Sequence, residues 1–275
     1  MTPDKEFFVS GSWRTGRNPE RSRARRRQGA IAVCEFSWLQ DRGKKQVKIV
    51  IISDLHANQA ALDALPESYT ELWVLGDLVN FGPDPAEIVE FVRQRVTVIV
   101  RGNHDHAAGY DTDPRCIARY QRMADFTRKY TGSVLNDGQK QFLRNLPLQR
   151  KLRRQNTHFY LCHAKPSDPL YGYSPPDSPE WNREVEALQT DVLLVGHTHV
   201  PLMHRFGERL IVNPGSLGQP TGKPEACYAV WEDGSFQLKT YPYPVEHTVA
   251  KLRALSFPQD VEEDLVHLLQ NGVLG

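Results

Sequence analysis

The sequence predicts an α/β protein built on a parallel sheet, and three features predict it. From Val47 onward the apolar pattern alternates between short β-branched runs and amphipathic stretches, the order of a layered α/β domain. Five of the apolar runs lead within three residues to an Asp, Asn or His. Polar side chains grouped in that way belong to the carboxyl ends of strands, where open α/β sheets carry their chemistry.

The first run is VKIVIIS, followed by Asp54-Leu55-His56, and the second is LWVL, followed by Gly76-Asp77. Asn58 stands where it can cap a helix holding Ala61, Leu62 and Leu65, and it is also a candidate substrate contact. A second helix is expected from Asp84 as cap, with Pro85 in its first turn and Glu87 completing a capping box ahead of Ile88, Val89 and Val92. The run Val96 to Val100 then leads into Arg101-Gly102-Asn103-His104-Asp105, where glycine permits a sharp turn.

Residues 113 to 146 are expected to form two helices, IARYQRMADFTRKY and DGQKQFLRNL, followed by strands at Leu148 to Arg153 and His158 to Cys162. The run HFYL ends in Cys162-His163, and the Pro- and aromatic-rich segment from Ala164 to Trp181 reads as a loop beside the site. DVLLV precedes Gly196-His197-Thr198-His199. Further strands are expected at Arg209 to Val212, Ala226 to Trp231 and Phe236 to Thr240, then two helices marked by Val245, Val249 and Leu252 and by Val261, Leu265, Leu268 and Leu269.

Charge divides the 275 residues unevenly. Residues 1 to 47 hold 11 Lys and Arg against 5 Asp and Glu, whereas the rest holds 23 against 28. A mildly acidic body lacks the basic stripe of a dedicated nucleic-acid groove. Residues 1 to 46, with the run RSRARRRQ, read as a basic disordered extension before a domain spanning 47–275. Because no Met lies between Met1 and Met123, a start at Val33 or Val47 would leave that extension outside the native protein. Cys34, Cys116, Cys162 and Cys227 show no paired spacing, which points to a reducing, cytoplasmic setting. No apolar stretch approaches the roughly 18 residues of a membrane span.

Residues i and i+2 of an extended segment face one way, so Asp54 with His56, and His197 with His199, are each expected to present two ligands to one spot. With Asp77, Asn103 and His163 they give seven oxygen and nitrogen donors and no thiolate. Such a set suits manganese first, with iron, zinc or nickel as alternatives, and Asp77 is the natural bridge between two four-ligand groups. Cys162 alternates with His163 and should face away from the ions. His106, His158, His204, His247 and His267 lack any such context.

In this order DLH, GD, RGNHD, an isolated His and GHTH resemble the calcineurin-like metallophosphoesterases, over about Val47 to Trp231. GDLVNFGPDP and NPGSLGQP are similar to its small bacterial phosphodiesterase-like branch. The resemblance implies a four-layer αββα sandwich of two mixed sheets flanked by helices. It also implies one metal on Asp54, His56, Asp77 and His199 and another on Asp77, Asn103, His163 and His197. The sequence departs from the pattern at Ala164, where many relatives have Gly, and at Thr221, where Arg is expected.

The implied activity is hydrolysis of phosphodiester or nucleotide-type bonds by a metal-bridging hydroxide, since a metal lowers the pKa of bound water from about 15.7 to about 7. His104 is expected to protonate the leaving oxygen or to hydrogen-bond a phosphoryl oxygen. The first role is preferred because Asp105 can hold its ring. Arg101 is a candidate phosphate contact. Phe81, Tyr171, Tyr173 and Trp181 are candidates to stack on a nucleobase, with Phe81 and Tyr173 the chosen substrate contacts. The alternatives are a phosphomonoesterase, including a protein Ser/Thr phosphatase, and a catalytically idle binding scaffold. The partner expected is a small phosphoester or nucleotide.

A chain beginning at Val47 is expected to keep the melting temperature and turnover of the full sequence; a large fall in either, measured by calorimetry and steady-state assay, would make residues 1 to 46 structural.

Overall fold

The computed structural model describes residues 47–219 and 221–274, so the extension expected over 1–46 lies outside the described residues. Among the described residues ten strands form two five-stranded mixed sheets. In the first, β1 (Lys48–Ile52) lies at the centre, parallel to β2 (Glu71–Val74), which in turn pairs in parallel with β3 (Val98–Ile99). On its other side β1 pairs antiparallel with β9 (Ala226–Glu232), and β9 with β10 (Ser235–Tyr241). The second sheet has the order β4 (Gln149–Arg154), β5 (Thr157–Cys162), β6 (Val192–Leu194), β8 (Arg209–Asn213) and β7 (Leu202–Phe206).

Alternation along the strands sets the layers. Ile49, Ile51, Trp73, Leu75 and Trp231 of the first sheet meet Phe159, Leu161, Leu194 and Val212 of the second in one apolar layer between the sheets. Phe159 stands edge-on to both Trp73 and Trp231, with ring centroids 5.1 and 5.4 Å away. The opposite face of β1 and β2, with Val50, Ile52, Leu72 and Val74, is covered by Leu62 of α1 (Gln59–Asp63) and by Ile88, Val89 and Val92 of α2 (Pro85–Arg95). Outside the second sheet, Tyr160, Cys162, Leu193 and Ile211 pack on Trp181 and Val185 of α6 (Glu180–Glu186). The architecture is thus the four-layer sandwich that the resemblance implies.

Four local expectations differ. The stretch after β3 continues as α3 (Asn103–Tyr110), which has almost no apolar period of its own. The edge strand β7 was not expected; three of its five residues are exposed, so period-2 burial hardly marks it. The segment beginning at Ala164 is a loop only to Pro179, which caps α6. Asp84 does start α2, yet its carboxylate makes no capping bond and instead accepts from Lys251 Nζ at 2.6 Å. The two helices of residues 113–146 are α4 (Ala118–Val134) and α5 (Asp137–Asn145), and the closing pair is α7 (Val245–Arg253) and α8 (Gln259–Asn271).

A polar cluster pins β1, β9 and β10 together. Glu67, after α1, accepts from Lys48 of β1, from Tyr228 OH of β9 at 3.1 Å and from Lys239 Nζ of β10 at 2.7 Å. The Lys239 bond, then the Lys48 bond, hold its carboxyl down to about 2 from the ordinary 4.5. A depressed folded-state pKa stabilises above the ordinary value, and that contribution is lost as pH falls through the folded value. Glu67→Gln should therefore lower stability at neutral pH by about 1 kcal/mol, a figure reduced for solvent screening, and flatten the acid limb of the stability profile between the two pKa values. Chemical denaturation across that pH range checks it, and an unchanged acid limb would make the cluster energetically idle.

Candidate metal centre and cleft

All seven expected donors converge where the carboxyl ends of the two sheets meet. Asp54 and His56 follow β1, Asp77 follows β2, and Asn103 opens α3. His163 follows β5, and His197 and His199 follow β6. The loops continue the sheet's own pairing, because Asp54 N–H donates to Gly76 O and His56 N–H to Asp77 O, each at 3.0 Å. The backbone there is not extended. Asp54, His56, Asp77, His197 and His199 all have φ between 44° and 66°, the left-handed region that costs a non-glycine residue about 1–3 kcal/mol.

That conformation corrects the expectation drawn from extended spacing. Asp54 and His56 do share one group, together with His199, but His197 turns away to a second group with Asp77 and His163. In the first group His199 Nε2 lies 3.2 Å from Asp54 Oδ1 and 3.0 Å from His56 Nε2. In the second, Asn103 Oδ1 lies 3.0 Å from His163 Nε2 and 3.1 Å from His197 Nδ1. Asp77 Oδ2 stands between the groups, 3.2 Å from His163 Nε2 and 3.9 Å from His56 Nε2.

The outward atoms of these side chains are tied to backbone, and that fixes which atoms face inward. His56 Nδ1–H donates to Val79 O at 3.1 Å and His163 Nδ1–H to Leu75 O at 2.7 Å, so each Nε2 lone pair points to the centre. Asn103 Nδ2 donates to Pro114 O at 2.9 Å, which turns Oδ1 inward. Asp77 Oδ1 accepts from His104 N–H at 2.9 Å, freeing Oδ2. Asp54 Oδ1 is buried and accepts no well-aligned hydrogen bond, its near neighbour being His199 Nε2 at 3.2 Å. A buried carboxylate oxygen facing ring nitrogens with converging lone pairs fits a divalent cation and is costly without one.

Electrostatics agree with that reading. Burial, then the neighbouring charge of His199, pushes His56 down to about 3, and burial with the His163 charge does the same to His197, so both rings are neutral. Burial opposes charge on His163 too, yet the Asp77 carboxylate beside it prevails and raises it to about 9. Cation binding there displaces a proton.

The remaining expected residues divide. His104 is buried at the cleft floor, but Asp105 does not hold its ring. Asp105 accepts backbone N–H bonds from Leu78 at 2.7 Å, Asp77 at 2.9 Å and Gly102 at 3.0 Å. The ring is held by Asn80, whose Nδ2 donates to His104 Nδ1 at 2.8 Å. Cys116 Sγ lies 3.5 Å from His104 Nε2, and burial, with Asp77 nearby, pushes its thiol up to about 12, so it is no nucleophile at neutral pH.

Arg101 does not line the cleft. Its Nη1 donates to Arg144 O at 2.7 Å in the last turn of α5, where a cation suits the helix dipole. Asn58 is unavailable to substrate, because its fully buried amide caps α1 and bonds Gly218 O, Tyr243 OH and Thr248 Oγ1. Phe81 lines the cleft but is 5% exposed, wedged 5.0 Å from the rings of both His56 and His104. Tyr173, 61% exposed, stands at the rim. The cleft above the ligands holds about 290 Å³. Sequence reasoning missed Cys116, Arg115 and Arg119 in its wall and the buried Asn80 that holds the His104 ring; only the clustering of Asn80 and Phe81 after Asp77 offered a signal.

Comparison with known proteins places the chain. The sequence profile of the Calcineurin-like phosphoesterase superfamily domain matches residues 47–233. The crystal structure of a metallophosphoesterase from Sphaerobacter thermophilus superposes with a TM-score of 0.70 at 30% identity, covering 83% of this chain and 100% of that one. An uncharacterized protein of Methanocaldococcus jannaschii is 26% identical over 79% of this chain and 96% of its own length. Phosphodiesterase YfcE of Escherichia coli is 26% identical over 68% of this chain and 88% of its own. No helix among the described residues is long and apolar enough to cross a membrane.

A methyl group on Gly102 would lie 2.0 Å from Asp77 Oδ1, so Gly102→Ala must displace a proposed ligand without removing a donor. Both Gly102→Ala and Asp77→Ala are expected to lose most bound metal and at least about 100-fold in turnover, as exhaustive chelation should, while Cys162→Ala keeps both. Elemental analysis beside a turnover assay checks this; full activity after chelation would refute the metal site.

Proposed function

The chain belongs to the calcineurin-like phosphoesterase superfamily and is a hydrolase acting on phosphoester bonds, and from that premise we propose a dinuclear enzyme that cleaves phosphodiester or nucleotide-type substrates. The observation that carries the dinuclear reading is Asp77 Oδ2 within 3.9 Å of ring nitrogens from both groups. Asp54, His56 and His199 would hold one ion, Asn103, His163 and His197 the other, and Asp77 both. Imidazole and carboxylate donors without thiolate favour manganese, ahead of iron, zinc or nickel. Such ions supply acidification of water and neutralisation of the charge that develops around phosphorus.

The chain's own residues do the rest. Asn103 contributes a neutral oxygen, which adds no negative charge opposite the phosphate. Because Asn80 Nδ2 donates to Nδ1 of His104, the neutral ring carries its proton on Nε2. Burial, the largest influence on His104, also lowers its pKa. A neutral imidazole with Nε2–H is a hydrogen-bond donor to a phosphoryl oxygen and a poor acid toward a leaving group, which reverses the preference drawn from sequence. Phe81 packs on both His56 and His104 and excludes water behind them. The cleft beyond the ligands leaves room for the second ester group of a diester, and the relative named a phosphodiesterase supports that choice.

The test loads the protein with manganese, counts two metal equivalents, and compares bis(p-nitrophenyl) phosphate with p-nitrophenyl phosphate. The diester is expected to give the higher kcat/KM, and a reversed preference would make the protein a phosphomonoesterase. His104→Asn should slow alkyl and p-nitrophenyl diesters alike, by about 100-fold, with metal content unchanged. A much larger loss on the alkyl ester would instead restore the proton-donor role.

A further inference from the structure

The mouth of the cleft carries cations that the scissile phosphate does not require. Arg115 and Arg119 line the same cavity as Asp77, Asn103 and His104. Arg115 belongs to the segment between α3 and α4 and stands at φ 59°, with its guanidinium carbon 4.4 Å from the Tyr171 ring centroid. Arg119 lies 4.9 Å from the Tyr120 centroid in the same way. A guanidinium held against an aromatic ring keeps N–H groups free for paired hydrogen bonds to phosphate oxygens.

Neither arginine makes an ion pair among the described residues. The adjacent acid, Asp113, is turned instead to the backbone N–H of Arg115 at 2.7 Å and to Gln121 at 3.3 Å. Two unpaired cations facing a cleft are out of keeping with a body that carries more acids than bases. Beside them Ile117 and Tyr173, 60% and 61% exposed, present apolar surface at the rim. Unpaired guanidinium groups beside exposed apolar faces suit a nucleotide, whose base covers the rim while a phosphate meets the cations.

We infer that Arg115 and Arg119 form a second anion subsite, and that the substrate is a nucleotide ester carrying a further phosphate besides the scissile one. The inference rests on the phosphoesterase reading and deepens it. The reaction itself is unchanged: water adds to the scissile phosphorus, one P–O bond breaks, and the leaving oxygen departs with the electron pair. What the arginines add is discrimination before that step.

Two esters isolate the effect: thymidine 3′-(p-nitrophenyl phosphate) with and without a 5′-phosphate, which share base, scissile group and leaving group. On the metal-loaded protein the added phosphate should lower KM at least ten-fold. The Arg115→Ala/Arg119→Ala double variant should erase that preference, raising KM for the doubly phosphorylated ester at least ten-fold more than for the other. Arg115→Lys/Arg119→Lys should retain part of it, and melting temperatures report folding. Calorimetric titration of thymidine 3′,5′-bisphosphate against thymidine 3′-monophosphate supplies a readout independent of turnover, with the same ten-fold preference expected. Equal KM and equal affinity for the paired compounds, or a preference that survives the double alanine variant, overturns the subsite. A binding preference without hydrolysis of any ester keeps the subsite and overturns the phosphodiesterase reading instead.

Discussion

The carboxylate of Asp105 is the tie on which the centre depends. By taking the N–H groups of Asp77, Leu78 and Gly102 it joins the loop after β2 to the start of α3. Asp77 answers by accepting His104 N–H, so the two acids lock two chain segments with four hydrogen bonds. The approach is close enough that only glycine fits at position 102. Asp77 then presents a single oxygen between the two ligand groups, and Asn103 and His104 follow from the same helix start. Strain in the left-handed ligand residues is tolerable because this network and the sheet-continuing bonds over-determine the backbone.

Much of this was legible in the chain. Which side chains gather at one spot could be read because oxygen and nitrogen donors at the ends of buried strands have few other reasons to occur there, and the apolar runs marked the strands themselves. Which donors share an ion could not be read from spacing, since the i, i+2 rule assumes extended backbone and His197 and His199 are left-handed. The resemblance supplied that division, and the geometry of the two groups agrees with it.

Roles that depend on long-range partners were the ones missed. Nothing near Arg101 in sequence announces that its partner is the carbonyl of Arg144, 43 residues on. Asp105 adjoins His104 in the chain but points the other way, because helical geometry separates neighbouring side chains by about 100°. Asn80 reaches His104 from a different loop. The α3 helix lacks an apolar period because its first turn serves the site and the residues it buries beyond that turn are the small Ala107, Ala108 and Gly109, and its one sequence mark is the acid at Asp105 bonding back to Gly102.

Each ligand group draws donors from both sheets: Asp54 and His56 with His199, and Asp77 and Asn103 with His163 and His197. Ions held by these two groups would be cross-struts of the sandwich as well as reagents, with the apolar layer of Trp73, Phe159 and Trp231 as the hinge plate that sets their spacing. Wear in that plate is felt first as chemistry. Substitutions far from phosphate that let the sheets part by a few tenths of an ångström would spoil the shared position of Asp77 while the protein still melts as a cooperative unit.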